Sequence, residues 1–116
     1  MPVVSAENSE HYTWGERCSG WHLLKSSAIS VIEELMPLGT SEKRHYHASA
    51  EQFFYVLAGI LTIELEGLEC GVRRFEGLHI AAGKSHLVRN ASTSDARFLL
   101  ISSPPSQGDR IPCENE

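Results

Sequence analysis

Two histidines one residue apart open the run RHYHASAEQFFYVLAG, residues 44–59, and a third, His86, follows the glycine turn AAGKS in a second run ending at Asn90. Residues two apart on a strand share a face, so His45 and His47 can aim their rings at one partner. Neutral imidazoles placed in this way bind zinc-like ions with bonds of about 2.0–2.1 Å. An HxH pair alone is commonly a surface accident. A third histidine at the start of a later strand changes its weight, because it could reach across a barrel to the first two. Three imidazoles and one oxygen ligand would make a centre with open positions for water or substrate.

Such a centre needs strands to hold it, and the chain reads as short apolar or alternating runs separated by glycine and polar turns. WHLLK (21–25), AISVIEELM (28–36) and FFYVL (53–57) are strand-like. A short helix through Ile29, Ile32, Glu33 and Met36 competes over 28–36, but the run is under ten residues and meets Pro37 directly. In ILTIELE, Leu61, Ile63 and Leu65 alternate with Thr62, Glu64 and Glu66, the cleanest two-residue period present. CGVRRF, LHIAA, HLVR and ARFLLIS supply further runs. About eight to ten short strands at this spacing predict an all-β antiparallel sandwich or barrel. One domain is expected, with an N-terminal arm over 1–19, a barrel over 20–103 and a tail over 104–116 that wraps the surface or frays.

Composition narrows the function. The chain has 116 residues, 41 % hydrophobic and 22 % charged, the balance of a globular protein. Its net charge of −5 argues against a nucleic-acid partner, which requires basic surface. No apolar stretch approaches the length of a membrane span, and MPVVSAENSEH lacks the basic and apolar regions of a secretory signal. Cys18, Cys70 and Cys113 are odd in number and widely spaced, unlike a disulfide framework, so a reducing cytoplasm is the expected compartment. No nucleophile context and no phosphate-binding glycine loop are present, so the chemistry would belong to the metal.

The two runs resemble the two sequence motifs of the cupin superfamily. The first motif is Gly, five residues, HxH, three or four residues, Glu, six residues, Gly; here it reads Gly39, TSEKR, His45-Tyr46-His47, ASAE, Gln52, FFYVLA, Gly59. Glutamine stands where glutamate is expected. The second motif ends in Pro-x-Gly, two residues, His, three residues, Asn; here Gly83, His86 and Asn90 match, Ala81 replaces the proline, and Phe75 stands where an opening glycine is expected. The resemblance implies a jelly-roll β-barrel of the RmlC-like kind, holding a divalent Fe, Mn, Ni or Zn ion with His45, His47, Gln52 and His86. Glu51 is the rival for the fourth position, although Gly59 is then one residue too far.

With glutamine the centre would keep the full two positive charges of the ion, where glutamate would leave about one. This favours an anionic oxygen ligand: a carboxylate, enolate or catecholate. Tyr55, His79 and His22 are candidate substrate contacts, with an outward position the alternative for His79 and His22. Phe54 and Tyr55 are neighbours on one strand, so only one can line the cavity. Arg73, Arg74 and Arg89 could meet an anion or be solvated. His11 is expected at the surface, and Trp14 and Trp21 in the core or an interface. An aromatic N-terminal arm laid on a neighbouring barrel would make the homodimer that the resemblance also implies. Dioxygenase, isomerase, lyase and decarboxylase activities all occur in such barrels, and a non-catalytic domain binding a sugar or metabolite is the alternative.

Overall fold

The computed structural model describes residues 3–113. Eleven strands form two antiparallel sheets, with a single 3₁₀ turn at Ala6–Asn8 the only helical element among the described residues. The strands are β1 (Glu10–Trp14), β2 (Cys18–Lys25), β3 (Ser30–Met36), β4 (His45–His47), β5 (Glu51–Ala58), β6 (Leu61–Leu65), β7 (Leu68–Val72), β8 (Gly77–Ile80), β9 (His86–Arg89), β10 (Ala96–Ser103) and β11 (Arg110–Pro112). One sheet runs β1-β2-β3-β10-β5-β8 and the other β11-β4-β9-β6-β7. This is the all-β jelly-roll barrel expected.

Alternation explains the packing. In β3, Ser30, Ile32, Glu34 and Met36 are buried while Val31, Glu33 and Leu35 are half-buried on the outer side. A strand period, not a helical one, therefore governs 28–36. The same alternation turns Gln52, Phe54 and Val56 of β5 and Ala96, Phe98 and Ser102 of β10 inward. Met36, Phe54, Val56, Leu61, Ile63, Ile80, Val88 and Phe98 make one core between the sheets, each full burial of such a side chain contributing roughly 1.5–3 kcal/mol.

The chain ends take part in the sheets. Residues 10–14 of the predicted arm form β1, which pairs with β2 of the same chain, and residues 110–112 of the predicted tail form β11, which pairs with β4. The arm thus extends its own barrel.

Several motif positions outside the histidines and Gln52 are structural. Gly59 adopts φ +77 with Asp95 O only 2.4 Å from where a Cβ would sit, so no other residue fits this turn. Asn90 is buried, and its Nδ2 donates to Met36 O at 2.9 Å and Ser94 O at 2.8 Å, tying β3 to the turn before β10. Gly83 N donates to His47 O at 2.7 Å and joins the two motifs. Phe75 holds the left-handed conformation (φ 66) that the expected glycine would take freely, at about 1–2 kcal/mol.

Candidate metal centre

Register brings the three histidines together. His45 of β4 lies opposite His86 of β9, and His47 follows two residues on along the same face of β4. Candidate ligand atoms of all three lie within 4.8 Å of one another. Ring centroids are 4.4 Å apart for His45 and His86, 5.1 Å for His45 and His47, and 5.9 Å for His47 and His86. None is more than 6 % exposed.

Backbone carbonyls set two of the rings. His45 Nδ1 lies 2.9 Å from Lys43 O and His86 Nδ1 lies 3.0 Å from Lys84 O. A carbonyl only accepts, so each Nδ1 carries the proton and each Nε2 keeps its lone pair. His86 Nε2 and His47 Nδ1 are buried without a hydrogen-bond partner. Burial holds all three rings neutral: it pushes His45 down to about 3, and His47 and His86 below the ordinary histidine value, with the neighbouring His86 ring and Arg110 adding to the effect on His45 and His47.

Gln52, on β5 of the opposite sheet, lines the same cavity as His45 and His47. It is 3 % exposed, its Nε2 donates to Ser102 Oγ at 3.1 Å, and its Oε1 is buried without a partner. Buried acceptors left unpaired cost free energy, and a cation is the partner that imidazole lone pairs and an amide oxygen have in common. The donor set fits a divalent transition metal.

His45, His47 and Gln52 line a cavity of about 380 Å³, within the size range of small-molecule sites. Its apolar walls include Trp14, Ile32, Phe54, Val88, Phe98 and Leu100; its polar lining includes Tyr12, His22, Glu34, Glu42 and Arg110.

A family model described as the cupin domain matches residues 31–102, well over half of the chain. The chain belongs to the cupin family. It is 32 % identical over 71 residues to the tetracenomycin polyketide synthase protein TcmJ of Streptomyces glaucescens, covering 61 % of this cupin and 47 % of that protein. To the polyketide synthase CurC of Streptomyces cyaneus it is 34 % identical over 70 residues, covering 60 % and 46 %. It spans about half the length of these relatives. Among solved structures, the polyketide cyclase RemF from Streptomyces resistomycificus superposes with a TM-score of 0.81 at 19 % identity, over 97 % of this chain and 84 % of that one. A protein described as a predicted oxalate decarboxylase from Thermotoga maritima gives 0.82 at 19 % identity, over 90 % and 100 %. At these identities the structures share the fold.

The cupin's barrel sorts the remaining candidates. His22 lines the cavity, with Nδ1 buried and unpartnered. Tyr55 does not: it lies on the outer face of β5, stacked on Phe53 with centroids 6.5 Å apart. His79 is also outside, exposed on β8 with its Nε2 2.7 Å from Glu51 Oε1. That contact removes Glu51 from the interior, since its side chain is 62 % exposed while Gln52 faces in. Phe54 is the member of the Phe54–Tyr55 pair that lines the cavity. Arg73 and Arg74 are exposed, and Arg89 pairs with Glu69 on the surface.

Sequence reasoning missed Tyr12, Glu34, Glu42 and Arg110. Glu34 was legible in the alternation Ser30-Ile32-Glu34-Met36, which places it among inward residues. Tyr12 and Arg110 carry no such signal, because their position depends on chain ends pairing with distant strands.

Proposed function

We propose that this cupin holds a divalent transition metal of the Fe, Mn, Ni or Zn kind with His45, His47, His86 and Gln52, and transforms a small anionic or chelating organic molecule beside it. The observation that carries this reading is the convergence of three buried, neutral imidazoles on one point with lone pairs that no protein group uses. When bound, the metal would supply a Lewis acid that polarises a ligand oxygen. The protein's own residues do the rest. Phe54, Phe98, Leu100 and Ile32 keep the cavity apolar, which strengthens electrostatic interactions within it. Arg110 lines the same cavity, where its Nη2 donates to Lys43 O at 3.2 Å and its charge acts on Glu42. Together with the neutral Gln52, it favours an anionic ligand.

Titratable carboxyls in the cavity support catalysis over passive binding. Burial pushes Glu34 up to about 7 and Glu42 up to about 8, so both exchange protons near neutrality. Proton transfer, the work of an isomerase or lyase, suits these groups better than dioxygen chemistry. The polyketide cyclase and the predicted oxalate decarboxylase it resembles are named for carbonyl- and carboxylate-rich molecules, which agrees with the same substrate class.

The cupin is also proposed to be a cytoplasmic homodimer. The outer face of the larger sheet presents the cross-strand row Val31–Ile101–Phe53 and, beside it, Leu99–Tyr55 next to the Glu33–Arg97 ion pair, all partly exposed. A second copy would cover that apolar face, and Leu99→Glu should then convert dimer to monomer in light scattering. The three cysteines are unpaired, which suits a reducing compartment.

The metal reading is tested by elemental analysis of tag-free protein beside His86→Ala. Near-stoichiometric metal that disappears in the variant is expected. No metal in either protein, after incubation with Fe, Mn, Ni and Zn, would overturn it.

A further inference from the structure

The cavity lined by His45, His47 and Gln52 also holds a second polar group, built by three neighbouring strands. Tyr12 of β1 lies opposite Gly20 of β2, and Gly20 lies opposite Glu34 of β3. A Cβ on Gly20 would sit 2.2 Å from Tyr12 Cζ, so the glycine leaves the space through which Tyr12 crosses β2. Its hydroxyl donates to Glu34 Oε2 at 2.7 Å. The His22 ring stands 4.8 Å from the Tyr12 ring, and all three side chains line the cavity that also holds His45, His47 and Gln52.

A merely structural partner for the tyrosine would not have to be an acid. Glu34 is 8 % exposed, its bond from Tyr12 is its single hydrogen bond among the described residues, and no Lys or Arg pairs with it there. A buried carboxyl held without a cation is costly when ionised, and enzymes use this to keep an acid–base group poised.

We infer that Glu34 is the proton-transfer group of this cavity, acting at the carbon beside a carbonyl of an enolisable 2-oxo or 1,3-dicarbonyl compound, with Tyr12 as its positioning residue; the inference rests on the metal reading above. The Glu34 carboxylate takes the proton, the C–H pair becomes a C=C bond, and the carbonyl π pair moves onto oxygen. Return of the proton to carbon reverses the step, so no oxidant or reductant enters. Burial raises Glu34 to about 7 against the Tyr12 hydrogen bond, which lowers it, and both forms are populated at neutral pH. The titratable and charged groups lining the pocket around it are Tyr12 from β1, His22 from β2, Glu42 from the segment before β4, His45 and His47 from β4 and Arg110 from β11, with Cys18 of β2 also within its field and Phe98 and Leu100 supplying the apolar side from β10.

The test uses the full chain loaded with Zn(II), with 2-oxobutyrate in deuterium oxide as probe and proton NMR as readout. One of the two C3 hydrogens should exchange stereoselectively, at a rate that rises with pH through about 7 and then levels. Glu34→Gln should slow exchange by about 100-fold or more, with zinc content and calorimetric affinity for 2-oxobutyrate unchanged, and Glu34→Asp should restore part of it. Tyr12→Phe should move the midpoint of the pH profile upward, because the hydrogen bond that lowers the Glu34 pKa is lost. Exchange in Glu34→Gln within threefold of wild type would overturn the inference. So would exchange no faster than with aqueous zinc in a loaded protein that binds the probe, which leaves the metal reading intact. Absence of binding by both 2-oxobutyrate and acetylacetone overturns the substrate class, whereas failure to load with any of Fe, Mn, Ni and Zn overturns both readings.

Discussion

Two histidine–carboxylate encounters lie on opposite sides of the barrel wall. Outside, His79 Nε2 meets Glu51 Oε1 at 2.7 Å, with both side chains more than half exposed. Inside, His45 Nδ1 stands 3.9 Å from Glu42 Oε2, and the two side chains are 4 % and 17 % exposed. The shorter contact is the less consequential. Water screens the outer pair and competes for its hydrogen bond, so proximity there is worth little. Burial inside pushes His45 down to about 3 and Glu42 up to about 8, which keeps the imidazole neutral and ready to donate its lone pair. Enclosure, more than distance, separates a surface pair from a chemical site.

Substitutions on the two sides should differ accordingly. The largest effect is expected from His47→Ala, which removes one of three converging donors: metal affinity, measured by chelator competition, should fall by more than the roughly 10–100-fold typical of losing an outer partner. Glu34→Gln comes next and is read in stability. The folded pKa of Glu34, about 7, lies above its ordinary 4.5, so its proton-linked stabilisation is complete below pH 4.5 and lost as pH rises through 7. Urea titrations should therefore show the variant gaining about 3 kcal/mol on wild type between pH 4.5 and 8. Gln52→Glu should weaken an anionic probe such as 2-oxobutyrate by roughly tenfold, because it cancels one charge of the ion in a low-dielectric site; unchanged or tighter binding would sink the argument for an anion. The smallest effect belongs outside: Glu51→Gln should cost under about 1 kcal/mol and leave metal content unchanged.

The same division explains what the sequence could reveal. His45, His47 and His86 were legible because both motifs keep their spacing, and the count from Gln52 to Gly59 favoured Gln52 before any register was known. Strand runs such as Leu61-Ile63-Leu65 were legible because one face is buried and the other wet. Tyr55 and His79, offered as candidate contacts with an outward place left open, could not be phased for the opposite reason. FFYVL is apolar on both faces, so its phase is hidden, and it shows itself only through pairing with β8 and β10. Tyr12 reaches Glu34 across an intervening strand, an arrangement set by long-range pairing that local pattern does not encode.

The stretch matched as a cupin domain, 31–102, contains all four donors, while Tyr12, His22 and Arg110 fall outside it. The residues proposed to hold the ion thus lie inside the matched stretch, while part of the cavity's polar lining comes from strands on either side of it. If the proposed metal is held there, relatives could keep one metal chemistry and vary its ligand by rewriting β1, β2 and β11, and a fusion joined close to β1 or β11 would sit beside strands that line the cavity.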